Sequence, residues 1–152
     1  MRRAIEVHPR GHWPSAAALD RVTLAFEDRH RRRIRLIADS GESFLLDLAR
    51  PHHLRDGEGL ELDTGGFIGV RAAREPLFEI TATDRAGLLR IAWHLGNRHL
   101  PLQVAGERLR IRADHVIADM LTGLGGRVDR IEAPFDPEIG AYAGAAHHHE
   151  HE

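Results

Sequence analysis

Leu77-Phe-Glu-Ile-Thr-Ala-Thr-Asp-Arg-Ala-Gly-Leu-Leu-Arg-Ile-Ala-Trp-His-Leu-Gly96 holds two periodicities within 20 residues, and the change between them decides the fold. Residues 77–82 predict a strand. Asp84 then stands where a helix N-cap is expected, ahead of Leu88, Leu89, Ile91, Ala92 and Leu95 at helical spacing. Gly96 is placed to end that helix. Downstream, Leu102-Gln-Val104 and Arg108-Leu-Arg-Ile111 predict two strands around an Ala105-Gly-Glu107 turn. Asp114 predicts the cap of a second helix, whose Ile117, Met120, Leu121 and Leu124 recur at i, i+3, i+4 and i+7. Gly125 is expected to end it, and residues 126–132 supply a last strand. The order βαββαβ is the split-βαβ, ferredoxin-like pattern.

Upstream the signal changes. Residues 22–26, 33–38 and 43–48 read as strands, the last two forming a hairpin around Asp39-Ser-Gly-Glu42. Further strands are expected over 59–63 and 66–71, and no window carries a helical stripe. The fold class is therefore α+β: a small all-β domain or sandwich followed by the ferredoxin-like unit. The expected boundaries are 1–74 for the β domain, 75–136 for the second domain and 137–152 for a flexible linker and tail. Ala-Pro-Phe-Asp-Pro-Glu, residues 133–138, reads as the start of that linker because Pro and Ala dominate the stretch.

Composition narrows the chemistry. The chain has 152 residues and a formal charge of −2, with 21 basic side chains that are all arginine. The absence of lysine excludes a Walker A loop and Schiff-base chemistry. The absence of cysteine excludes thiolate metal sites, disulfides and a cysteine nucleophile. Near-neutral charge argues against a protein built to grip nucleic acid. No apolar run approaches the roughly 20 residues of a membrane span, and the N-terminus lacks the apolar segment of a signal peptide. A cytoplasmic location is the default reading. No HExxH, nucleophile elbow or pair of carboxylates at catalytic spacing is present, so an enzyme is not expected.

Histidine is in surplus, at 12 residues, and four of them, His147, His148, His149 and His151, fall in the last six positions. Imidazole with carboxylate suits nickel, zinc, copper and cobalt, so the tail predicts divalent-metal binding without choosing the metal. Glu150 interrupts the run and Glu152 ends it, unlike a purification tag. In Trp93-His-Leu-Gly-Asn-Arg-His99, the two histidines lie about 140° apart on a helical wheel and cannot chelate as an i, i+4 pair. His94 is expected to pack beside Trp93, whereas His99 lies beyond the helix in a polar stretch and is a candidate ligand. His115, at the first turn after Asp114, is a second candidate. His8, His12, His30, His52 and His53 suggest no chelating set. The basic run Arg29-His-Arg-Arg-Arg33 reads as a solvated loop opening a strand.

Ala92-Trp-His-Leu-Gly-Asn-Arg-His-Leu-Pro101 resembles the signature of the urease accessory protein UreE family, the nickel metallochaperones. Asp114-His-Val-Ile-Ala-Asp-Met-Leu121, Pro134-Phe-Asp-Pro-Glu138, Gly140-Ala-Tyr142 and the His-rich end match the same family in the same order. The resemblance implies an N-terminal domain that docks protein partners and a ferredoxin-like domain that binds metal. It also implies a homodimer in which two His99 side chains meet on one Ni(II) ion, with the tails adding imidazoles. Zn(II), Cu(II) or Co(II) would compete for such a site, and a metal-linked tetramer is left open. The implied partners are the urease accessory GTPase and the urease apoprotein complex. Some family members carry a histidine pair flanking the aspartate before the second helix. Here Asp114 is followed by His115 but preceded by Ala113, which reduces that auxiliary site to one histidine.

Overall fold

A computed structural model describes residues 1–138. The expected tail ligands His147, His148, His149 and His151 lie outside the described residues. The chain divides into two compact units, Met1–Glu75 with Ala133–Asp136, and a second containing Pro76–Glu132. The architecture is α+β, as the sequence pattern predicts. No helix among the described residues is long and apolar enough to cross a membrane.

The first unit is a six-stranded sheet of β1 (Arg3–His8), β2 (Asp20–Leu24), β3 (His30–Ile37), β4 (Ser43–His53), β5 (Gly59–Leu62) and β6 (Phe67–Ala72), in the order β2-β6-β5-β1-β4-β3. The expected hairpin is present, β3 pairing antiparallel with β4 from Ile37↔Ser43 to His30↔His53. Two pairs, β1 with β4 and β2 with β6, run parallel. Ala4, Val22, Phe44, Leu46, Leu60 and Ile68 are fully buried in its core.

Three expectations for this region need correction. β1 was not expected as a strand, because its pairing register with β5 shifts between Ala4 and Glu6. The core residues there are Ala4 and Val7, three apart, so the two-residue alternation that signals a strand is broken. Next, Arg29–Arg33 opens a strand as expected, with His30, Arg32 and Arg33 exposed, but it is not a loop and not solvated throughout. His30 to Arg33 belong to β3, and Arg29 is completely buried. Its guanidinium donates to the Phe135 carbonyl and, at 3.4 Å, to that of Leu54. Finally, the stretch after Glu132 is core as well as connector. Phe135 is fully buried and packs edge-on against Phe26, with ring centroids 5.3 Å apart. One aromatic ring and one buried carbonyl acceptor fix a segment whose Pro-rich composition suggested only a linker.

The second unit carries β7 (Arg74–Thr81), α1 (Arg85–Asn97), β8 (Gln103–Ala105), β9 (Arg108–Arg112), α2 (His115–Gly123) and β10 (Arg127–Pro134). Its sheet order, β10-β7-β9-β8, is the 4-1-3-2 arrangement of the ferredoxin-like fold. Phe78 and Ile80 of β7, Leu109 and Ile111 of β9, Ile91 and Leu95 of α1, and Ile117 and Leu121 of α2 form one core. Each buried aliphatic side chain contributes about 1.5–3 kcal/mol, which is what holds both helices to the sheet.

Candidate metal centre

The site begins at the two helix caps. Asp84 accepts a hydrogen bond from the Gly87 amide at 2.7 Å, fixing the start of α1. Asp114 accepts from the Val116 amide at 2.9 Å and does the same for α2. Both caps stand where the sequence places them.

The far end of α1 differs from expectation. Gly96 does not end the helix, which continues to Asn97 with Arg98 as its cap. The His99 amide donates to the Gly96 carbonyl at 3.0 Å, and the Leu100 amide reaches back to Leu95 at 3.4 Å. These two bonds make a Schellman motif, with His99 in the left-handed position where glycine is usual. His99 has a φ of 57° and is the one non-glycine residue with positive φ among the described residues. A left-handed residue with a Cβ costs about 1–2 kcal/mol. The motif is held by the buried Leu95 and by Leu100 packing on the core, so the backbone beneath His99 is fixed. Its side chain is exposed.

His94, by contrast, is half-buried, its ring 5.1 Å from that of Trp93 in an edge-on contact. Trp93 is itself 64% exposed, as is Leu89 one turn earlier. The i, i+4 pair forms an exposed apolar stripe on α1. His115 is exposed at the first residue of α2, 6.3 Å from the Phe78 ring. Leu100, which follows His99, and Asp114, which precedes His115, line the same open cleft of about 280 Å³, floored by Ile111 and Ile117. The two candidate ligands thus flank one end of the domain.

Among the described residues neither His99 nor His115 belongs to a set of three ligand-type side chains; the one such set is Glu6, His8 and Glu61 in the first unit. Sequence spacing gave no sign of that set, because the β1 register shift is what brings Glu6 opposite Glu61. His53 is half-buried. Its Nε2 has no hydrogen-bond partner, and burial together with the Arg29 charge lowers its pKa to about 4. The ring packs beside Phe26, with 5.1 Å between centroids. Burial likewise lowers the Arg29 pKa, partly offset by the charges of Glu75, Asp136 and Asp56.

Residues 3–73 match the family profile of the UreE urease accessory protein N-terminal domain, and residues 75–152 that of its C-terminal domain. A Rhodopseudomonas palustris protein named urease accessory protein UreE is 58% identical over 97% of this chain and 70% of its own length. A Bradyrhizobium protein of the same name is 54% identical over 100% of this chain and 75% of its own. A third, from Beijerinckia indica, is 54% identical over 99% of this chain and 87% of its own.

Proposed function

The chain belongs to the urease accessory protein UreE family, and we propose that it serves there as a nickel metallochaperone. In this reading His99 from each of two subunits holds one Ni(II) ion at a dimer interface, and the protein hands that ion over for assembly of the urease active site. His147, His148, His149, His151 and His115 supply further, exchangeable imidazoles. Residues 75–136 bind metal and dimerise, residues 1–74 dock the urease accessory GTPase and the urease apoprotein, and 137–152 form the tail. The setting is cytoplasmic, and no reaction is catalysed.

The observation that carries this reading is the backbone of His99. A strained left-handed histidine at an exposed helix end points to function rather than packing. Among the described residues of one chain His99 belongs to no set of three ligand-type side chains, and a two-fold axis supplies a second imidazole by symmetry. The Leu89–Trp93 stripe offers the apolar surface such an axis needs, since large exposed apolar side chains in a contiguous patch mark association sites. A carrier gains from this arrangement. With few rigid ligands per subunit, the ion leaves by stepwise ligand exchange.

Urease activation in cells grown on limiting nickel tests the proposal. His99→Ala is expected to lower urease activity several-fold, with partial recovery on added nickel. Activation unaffected by His99→Ala at limiting nickel would sink it. Loss of nickel tolerance without loss of urease activation would instead identify a metal store.

A further inference from the structure

β1 and β5 bring two carboxylates face to face. Glu6 pairs directly with Glu61 across the ladder, an arrangement that is ordinarily destabilising. It exists because of the register shift after Ala4. With regular pairing Glu6 would stand opposite Leu60, whereas the shift sets it against Glu61 while Val7 turns to the core. Bulges commonly re-aim a side chain in this way. His8, two residues on, shares the outer face with Glu6, and its Nε2 lies 2.8 Å from a Glu61 carboxylate oxygen. One ligand atom from each of the three residues lies within 4.8 Å of the other two.

The surroundings hold this geometry. The His8 ring meets the edge of Phe67 with centroids 5.2 Å apart, and Phe67 packs in turn on Trp13 at 5.6 Å. The Trp13 indole N–H donates to the Gly57 carbonyl at 2.9 Å. The residue paired with His8 is Gly59, where any Cβ would overlap the Trp13 indole. The glycine therefore admits the tryptophan that backs Phe67, and Phe67 fixes the His8 ring. The His8 and Glu61 side chains remain 27% and 38% exposed, so an ion has access.

We propose that Glu6, His8 and Glu61 form a divalent transition-metal site on the N-terminal domain, separate from the His99 centre. One imidazole and two carboxylates suit Ni(II), Co(II) or Zn(II), at ligand distances of about 2.0–2.2 Å. The cation cancels the repulsion between the facing carboxylates, and three protein ligands leave open positions for water or an incoming donor. The inference stands whether or not His99 binds nickel.

The chain contains 2 tryptophans, Trp13 and Trp93, so its indole N–H signals report separately on this site and on the α1 surface. The test uses the full-length chain carrying His99→Ala and alanine at His147, His148, His149 and His151, titrated with Co(II). The Trp13 indole signal is expected to broaden first. Glu61→Gln or His8→Gln should lower the Co(II) affinity read from it by tenfold or more. Excess Zn(II) should reverse the broadening, and equal Mg(II) should not. An unmoved Trp13 signal, or broadening that survives Glu61→Gln, would show that the three side chains form a surface ion pair only. Reversal by Mg(II) would overturn the transition-metal assignment. The unsubstituted chain compared with Glu61→Gln alone gives the same reading without the other replacements.

Discussion

His53 and His99 place the same side chain in opposite surroundings. His53 is enclosed by Phe26, His30 and Arg29, its Nε2 buried without a partner and its pKa lowered to about 4. Burial and neighbouring positive charge keep that ring neutral. His99 stands exposed on a left-handed residue that the Schellman bonds hold in place. One imidazole is packed into its fold; the other stands exposed on a strained backbone. Histidine number therefore says little about role; burial and backbone conformation separate the two.

The contrast can be broken most forcefully at Arg29. Its removal leaves the Leu54 and Phe135 carbonyls without their donor and opens a hole beside Phe26. Arg29→Ala should cost about 2–4 kcal/mol of stability in urea titration; an unchanged midpoint would mean that the buried arginine holds nothing. The His53 side of the comparison is sharpened by pH. Its folded pKa, about 4, lies below the unfolded value, so the unfolded chain binds more protons between them. The stability from its neutral ring is complete above about pH 6.5 and is lost as pH falls toward 4. Allowing for partial exposure, the loss is about 1–2 kcal/mol. His53→Gln, neutral throughout, should flatten that segment of the stability profile, and an unaltered slope would assign it to other groups.

On the His99 side, glycine accepts the left-handed backbone without strain. His99→Gly should therefore stabilise the fold by up to about 1 kcal/mol, read as a small rise in Tm, while removing the imidazole. A fall in stability would show that the histidine holds the turn through contacts of its own.

The ferredoxin-like half was largely legible because its signals are local. Asp84 and Asp114 cap helices by bonding amides two or three residues away. Stripes such as Ile117 and Leu121 mark their own buried face. Gly96 misled because local propensity placed the stop there, whereas Leu100 packing behind the turn carries the helix to Asn97. The first half was less legible because its order depends on distant partners. Arg29 is solvent-compatible until Phe135, 106 positions away, supplies a carbonyl. His8 is an isolated histidine until a one-residue shift in β1 sets Glu6 opposite Glu61. His99 is a candidate ligand from its place beyond the helix, the signature resemblance implies its two-fold site, and the left-handed turn adds a physical reason that spacing did not contain.

The most direct test of the central claim is a calorimetric Ni(II) titration of the intact protein, coupled to mass measurement of the assembled species. The account predicts one tightly bound nickel per dimer, lost in His99→Ala while the weaker equivalents of the tail remain. Unchanged tight binding in His99→Ala, or one tight nickel on each monomer, would contradict it.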